Sequence, residues 1–216
     1  MAGLLLPGII QVACAASGGD ADSWHLSQAE LEQVEAGEVI VEAEVGRDPT
    51  RGDVRAAVKI TAPPERIFRT MTDCAAALEF VPHLRECEVI ESAEDGSWEL
   101  VRHVVDYGWF MRRVSYVFRA EHEPFARIRF SNVHGDFREH RGAWELEPSP
   151  DGTGTIVTYR VHLVPDFYVP RWLMRSMLRR DLPALMKGLR AQCESGARAV
   201  LHSAAESAAP SSVALH

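Results

Sequence analysis

The chain has 216 residues, 46% of them hydrophobic and 25% charged, which suits one well-buried globular domain and is short for two. Its formal net charge is −8, and its basic groups form only short pairs such as Arg112-Arg113 and Arg179-Arg180. That excludes a large phosphate-reading interface and, with it, nucleic acid as a partner.

At the N-terminus an apolar run from Leu4 to Val12 precedes the small-residue stretch Ala13-Cys14-Ala15-Ala16-Ser17-Gly18. This resembles the apolar core and cleavage region of an export signal and is too short for a membrane span, although the usual early Lys or Arg is missing. Residues 1–19 are therefore expected to be a signal or disordered leader. The protein is expected to be exported or periplasmic, with a cytoplasmic location as the alternative. Residues 20–37 read as a helical extension: Ser27 can cap, Glu30 follows three residues on, Leu26 can staple to Leu31, and Gly37 can end the helix.

Two alternating segments follow, one with Val39, Val41, Ala43 and Val45, the other with Val54, Ala56, Val58 and Ile60. They predict a hairpin with a long connection. Pro63-Pro64-Glu65 opens a helix whose apolar face is Ile67, Phe68 and Met71, and a second short helix is stopped by Pro82. The helical period then vanishes, and strands are predicted at 84–92, 97–107, 110–121, 126–134, 137–148 and 154–164. From Pro170, Met174, Leu178, Leu182, Leu185, Leu189 and Cys193 mark one face of a long helix, which Pro183 should kink or split at Asp181-Leu182. Residues 202–216 are small and polar and read as a disordered tail.

The four cysteines form no C-x-x-C pair, which speaks against zinc. Cys87 and Cys193 read as small core residues, with one disulfide left open. No P-loop, dinucleotide fingerprint, hydrolase elbow or HExxH occurs, and His134 with His140 lacks a carboxylate to complete a metal triad. No cofactor, metal or catalytic motif is therefore expected.

Strand parity assigns the interior. Val114, Tyr116 and Phe118 share an apolar face, as do Ile128 with Phe130, and Val157 with Tyr159, Val161 and Leu163. In GDFREHRGAWEL, residues 135–146, Trp144 and Leu146 face inward. Counting back by two brings Gly142, His140 and Arg138 to the same face and leaves Phe137, Glu139 and Arg141 outside, unless a bulge at Gly142 flips the register. An inward Arg and His would need a polar ligand group or water; the alternative is a strand end at a wet rim. Strand 97–107 stays undecided between Trp98, Leu100 and Val104 on one face and Val101, Val105 and Tyr107 on the other, with His103 and Asp106 as further candidates for the interior.

The stretch from Ile60 to Ser92, with Ile60, Ala62, Pro63, Phe68, Met71, Asp73, Phe80 and Pro82 in place, resembles the opening of the START-like, or polyketide cyclase/dehydrase, superfamily. The later GAWELEP and GTIVTYRVHLVPDFYVPRWL segments are similar to its closing strands and its entry to the last helix. The resemblance covers roughly residues 38–200 and is nearest in flavour to the coenzyme Q-binding and cyclase-like branch. It implies an α+β helix-grip fold over 38–201, with a curved seven-stranded antiparallel sheet around a long C-terminal helix and two short helices after the first strands. It also implies an internal apolar cavity. Tyr116, Phe118, Ile128, Phe130, Arg138, His140, Trp144, Val157, Tyr159, Trp172 and Met177 are the candidate cavity residues. The leading expectation is a carrier of a hydrophobic small molecule such as a lipid, quinone or polyketide. A cyclase or aromatase using the same cavity is the alternative, and a protein-interaction module the third reading.

Overall fold

The period-two segments form eight antiparallel strands in a single sheet of order β1-β2-β8-β7-β6-β5-β4-β3. They are β1 (Val39–Val45), β2 (Gly52–Ile60), β3 (Leu84–Ser92), β4 (Trp98–Val105), β5 (Val114–Glu123), β6 (Arg127–Gly135), β7 (Phe137–Pro148) and β8 (Thr155–Pro165). The family resemblance implies seven strands; among the described residues the sheet has eight. The computed structural model describes residues 24–45, 52–109 and 111–207, so the expected leader and most of the β1–β2 connection lie outside the described residues.

The first helix, α1 (Gln28–Glu35), begins with the expected capping box: the Glu30 N–H donates to the Ser27 hydroxyl, and the Ser27 N–H donates back to the Glu30 carboxylate. Its buried Val34 packs with Trp24, Ala57 and Ile156, and Leu26 and Leu31 join the same cluster. The extension thus covers the outer face of the sheet where β2 and β8 pair. Two short helices, α2 (Pro64–Thr72) and α3 (Cys74–Phe80), follow β2. They turn Ile67, Phe68, Ala77 and Phe80 into the main core on the opposite, concave face.

That face is gripped by the C-terminal helix. The segment begins as α4 (Arg171–Ser176), passes through a π-helical turn at Met177–Asp181, and continues as α5 (Leu182–Ser207). Pro183 lacks an N–H and cannot continue the regular ladder. The chain absorbs this through a wider turn in which the Leu182 N–H reaches the Met177 carbonyl, so the helix runs on instead of splitting. Leu185, Met186, Leu189 and Cys193 are buried against the sheet. Full burial of side chains the size of Met186 and Leu189 stabilises by about 2 kcal/mol each. The tail expected from residue 202 gives way to helix as far as Ser207. Among the described residues no helix is long and apolar enough to cross a membrane.

Candidate functional site

A cavity of roughly 150 Å³ lies between the concave sheet and the helices α2, α3 and α5. A void of this size admits a body about as wide as one aromatic ring. Its apolar walls come from strand residues of one parity: Val101 on β4, Phe118 and Ala120 on β5, Ile128 and Phe130 on β6, Trp144 on β7 and Tyr159 on β8. Met71, Ala77, Phe80, Val81 and Leu185 close it from the helical side. The aromatic rings brace one another. Trp144 stacks on Tyr159 at 4.0 Å between centroids, and Phe130 lies 6.0 Å from Tyr159.

Three polar side chains converge in this wall. His103 Nδ1 lies 3.3 Å from the Tyr116 hydroxyl, and the His140 ring meets Tyr116 edge-on at 5.0 Å. His140 is buried, and its Nδ1 has no hydrogen-bond partner within the protein. Burial disfavours the charged imidazole, holding His103 at about 4 and His140 at about 3, the latter also repelled by His103. Burial likewise pushes the Tyr116 phenol above its ordinary value. At neutral pH all three are therefore uncharged hydrogen-bonding groups in an apolar wall, a placement that favours a carbonyl or hydroxyl over an ion.

The register of β7 explains why His140 is there. From Glu139 to Pro148 the pairing with β8 is continuous, so Gly142 hosts no bulge. The irregularity falls between Phe137 and Glu139, leaving Arg138 as the extra residue. His140, Gly142, Trp144 and Leu146 keep the inner face, as parity predicts, but the bulge swaps the two residues at the strand's start. Phe137, expected outside, packs inward 5.0 Å from Tyr116 and 5.6 Å from His140. Arg138 swings out, donating to the Pro165 carbonyl at 3.4 Å and pairing with Asp166 at 3.5 Å.

Tyr116, Phe118, Ile128, Phe130, His140, Trp144 and Tyr159 are thus brought together around the cavity, and four other candidates are not. Besides Arg138, Val157 is fully buried in the core cluster that contains α5, away from the void. Trp172 is 61% exposed on α4, Tyr168 in the preceding loop is exposed too, and Met177 sits half-buried in the π turn.

Parity alone left β4 undecided, and the sheet decides it. Glu99, Val101 and His103 face the cavity, while Trp98 points outward beneath the Arg119 guanidinium, 4.0 Å from its ring. Asp106 lies past the strand end, accepting from the Gly108 N–H and pairing with Arg113. Also missed were the cavity-facing Glu99 and His122, and the one disulfide left open by the sequence joins Cys74 at the start of α3 to Cys87 on β3. Cys87 is therefore half of a covalent tie across the cavity wall; Cys193 keeps a buried thiol. No local pattern announces a pairing thirteen residues apart between a helix start and a strand.

A second, open depression lies on the convex face among Arg129, Arg141, Arg160 and His162. Acids answer these bases, Arg129 with Glu123, Arg141 with Glu139, Arg160 with Glu145 and His162 with Asp53, so the depression is a neutralised ion-pair surface.

Residues 60–190 match the family model described as polyketide cyclase / dehydrase and lipid transport. No curated protein matches the chain in sequence. Among solved structures, the chain is similar to TTHA0849 from Thermus thermophilus, at 26% identity over 67% of this chain and 98% of that one, with a TM-score of 0.56. It shares its fold with the Zhui aromatase/cyclase from Streptomyces sp. R1128, at 16% identity, 69% and 98% coverage and a TM-score of 0.59. It also shares it with a STAR-related lipid transfer protein from Xanthomonas axonopodis, at 18% identity, 72% and 93% coverage and a TM-score of 0.60.

Proposed function

The chain belongs to the polyketide cyclase/dehydrase and lipid-transport family, and from that premise we propose that it binds and carries a hydrophobic small molecule whose carbonyl or hydroxyl group docks on His103, Tyr116 and His140. The observation that carries this reading is the unpartnered Nδ1 of the neutral His140 in a largely apolar wall. A buried polar atom with no protein partner is costly, and a ligand acceptor or donor relieves the cost. Carriage is favoured over catalysis by the same groups. Imidazoles held near 4 and 3 are weak bases at neutral pH, far from the value at which proton abstraction next to a carbonyl is efficient.

Native mass spectrometry of protein purified from its own host is expected to show a co-purified apolar molecule. His140→Leu should weaken displacement of a fluorescent lipid ketone by roughly fivefold to tenfold, the contribution of one neutral hydrogen bond. Failure of every lipid probe to bind would remove the carrier reading.

We also propose that the protein works in an oxidising compartment, which the Cys74–Cys87 disulfide supports. Mature protein from its host is expected to begin downstream of the apolar leader; Met1 at the mature terminus would overturn export. The disulfide closes a short loop, so Cys74→Ala/Cys87→Ala should lose about 3 kcal/mol on the chain-entropy account.

A further inference from the structure

The cavity has a second polar end that the proposed docking group does not use. Glu99 on β4 and His122 on β5 both line it, and their side chains are only 16% and 9% exposed. His122 Nδ1 lies 3.1 Å from the Gly96 carbonyl. A carbonyl can only accept, so Nδ1 must carry the hydrogen, and in the neutral ring Nε2 presents a lone pair. That Nε2 is buried without a hydrogen-bond partner. Its nearest acid oxygen, on Glu99, is 3.6 Å away, beyond hydrogen-bonding range. Burial lifts the Glu99 carboxyl above the usual carboxylate range, opposed by the charge of His122. The ring is held from the other side by Phe68, edge-on at 5.5 Å, so it cannot readily turn away.

Between Glu99 and His122 there is thus a gap that faces the Nε2 lone pair on one side and a buried carboxyl on the other. A ligand hydroxyl fits it, because it donates to Nε2 and still offers its oxygen as an acceptor. A carboxylate cannot donate to Nε2, and an ammonium cannot accept.

We infer that the cavity takes a bipolar ligand, an elongated apolar body with a hydrogen-bonding group at one end for His103, Tyr116 and His140 and a hydroxyl at the other held between Glu99 and His122. This rests on the reading of the cavity as a site for a hydrophobic molecule. Glu99 and His103 share a strand face four residues apart, which sets the two ends roughly 13 Å from each other. The volume of roughly 150 Å³ limits the occupant to a thin body, a single chain or one ring wide. Val101, Phe118, Ala120 and Ile128 line the span between the two ends.

The test compares straight-chain alcohols with α,ω-diols of equal carbon number by displacement of a fluorescent fatty probe from the intact protein. A diol of matching length should bind at least tenfold more tightly than its mono-alcohol, with affinity peaking at one chain length and falling for shorter and longer diols. In the Glu99→Leu/His122→Phe variant the diol should lose that advantage, with folding checked by circular dichroism. Equal binding of diol and mono-alcohol by the wild-type protein overturns the bipolar ligand while leaving the cavity reading intact. Displacement by neither, with the probe bound, likewise overturns the bipolar ligand alone, whereas failure of the fatty probe itself to bind overturns both. The comparison within the wild-type protein decides the matter even if the variant fails to fold.

Discussion

Replacing Gly142 with alanine is expected to destabilise the protein by about 3 kcal/mol, which lowers the melting temperature by roughly 10 °C. Gly142 pairs with Phe130 on one side and Val161 on the other, in the middle of the sheet. An added Cβ would fall well inside the radius of the Arg160 carbonyl oxygen and 2.7 Å from Phe130 Cζ. The first of these neighbours is backbone of a central strand and can move only by breaking ladder pairing. The second is a ring packed against His140 and Tyr159. Relief on either side therefore disturbs the cavity, and ligand binding should fall together with stability. Gly52→Ala, where an added Cβ meets nothing within 4 Å, is the control and should change stability by no more than about 0.5 kcal/mol. Equal denaturation midpoints for the two variants would show that the sheet is not closed on Gly142 in this way.

The second large effect is on acid stability. His103 and His140 are held at about 4 and about 3 in the folded protein, whereas an unfolded histidine titrates near 6.5. Above roughly pH 6.5 both states are neutral and folding bears no penalty from these groups. Between that value and the folded values the unfolded chain takes up protons that the folded chain refuses. Stability therefore falls as pH falls, by up to about 1.4 kcal/mol per pH unit for each histidine. Glu99 acts in the opposite sense: burial raises its folded value, so its protonation on acidification favours the folded state. The net loss expected between about pH 7 and about pH 5 is on the order of 3 kcal/mol. Urea denaturation at these two values, for the wild type and for His103→Phe/His140→Phe, checks it. The variant keeps ring volume without a titrating nitrogen, so its midpoint should move much less. Parallel decline of both proteins would show that the acid sensitivity comes from elsewhere.

Much of the architecture was legible in local pattern. The capping box at Ser27 and Glu30, Pro64 in the first turn of α2, the stop at Pro82 and the alternation in β5, β6 and β8 all act within a few residues. The apolar spacing of the last helix identified its buried face at Leu185, Leu189 and Cys193. Tyr116, Phe118, Ile128, Phe130, Trp144 and Tyr159 could be placed in the interior for the same reason: in an unbroken strand every second side chain shares a face.

What the sequence did not reveal depends on neighbours distant in the chain. The bulge sits at Arg138 and not at Gly142, because Gly142 lets the Arg160 carbonyl and the Phe130 ring close over it, while Arg138 can leave the ladder and find Pro165 and Asp166 at the rim. That single shift turned Phe137 in and Arg138 out. Glu99 and His122 meet, and Cys74 joins Cys87, only once β3, β4 and β5 are in register beneath α2 and α3. Alternation within a strand is a short-range property of the backbone, so the sequence by itself determined which residues are apolar partners and the order of the elements. The register between strands is set by the sum of cross-strand packing and hydrogen bonds, and so only the tertiary structure decided which polar side chains face the cavity.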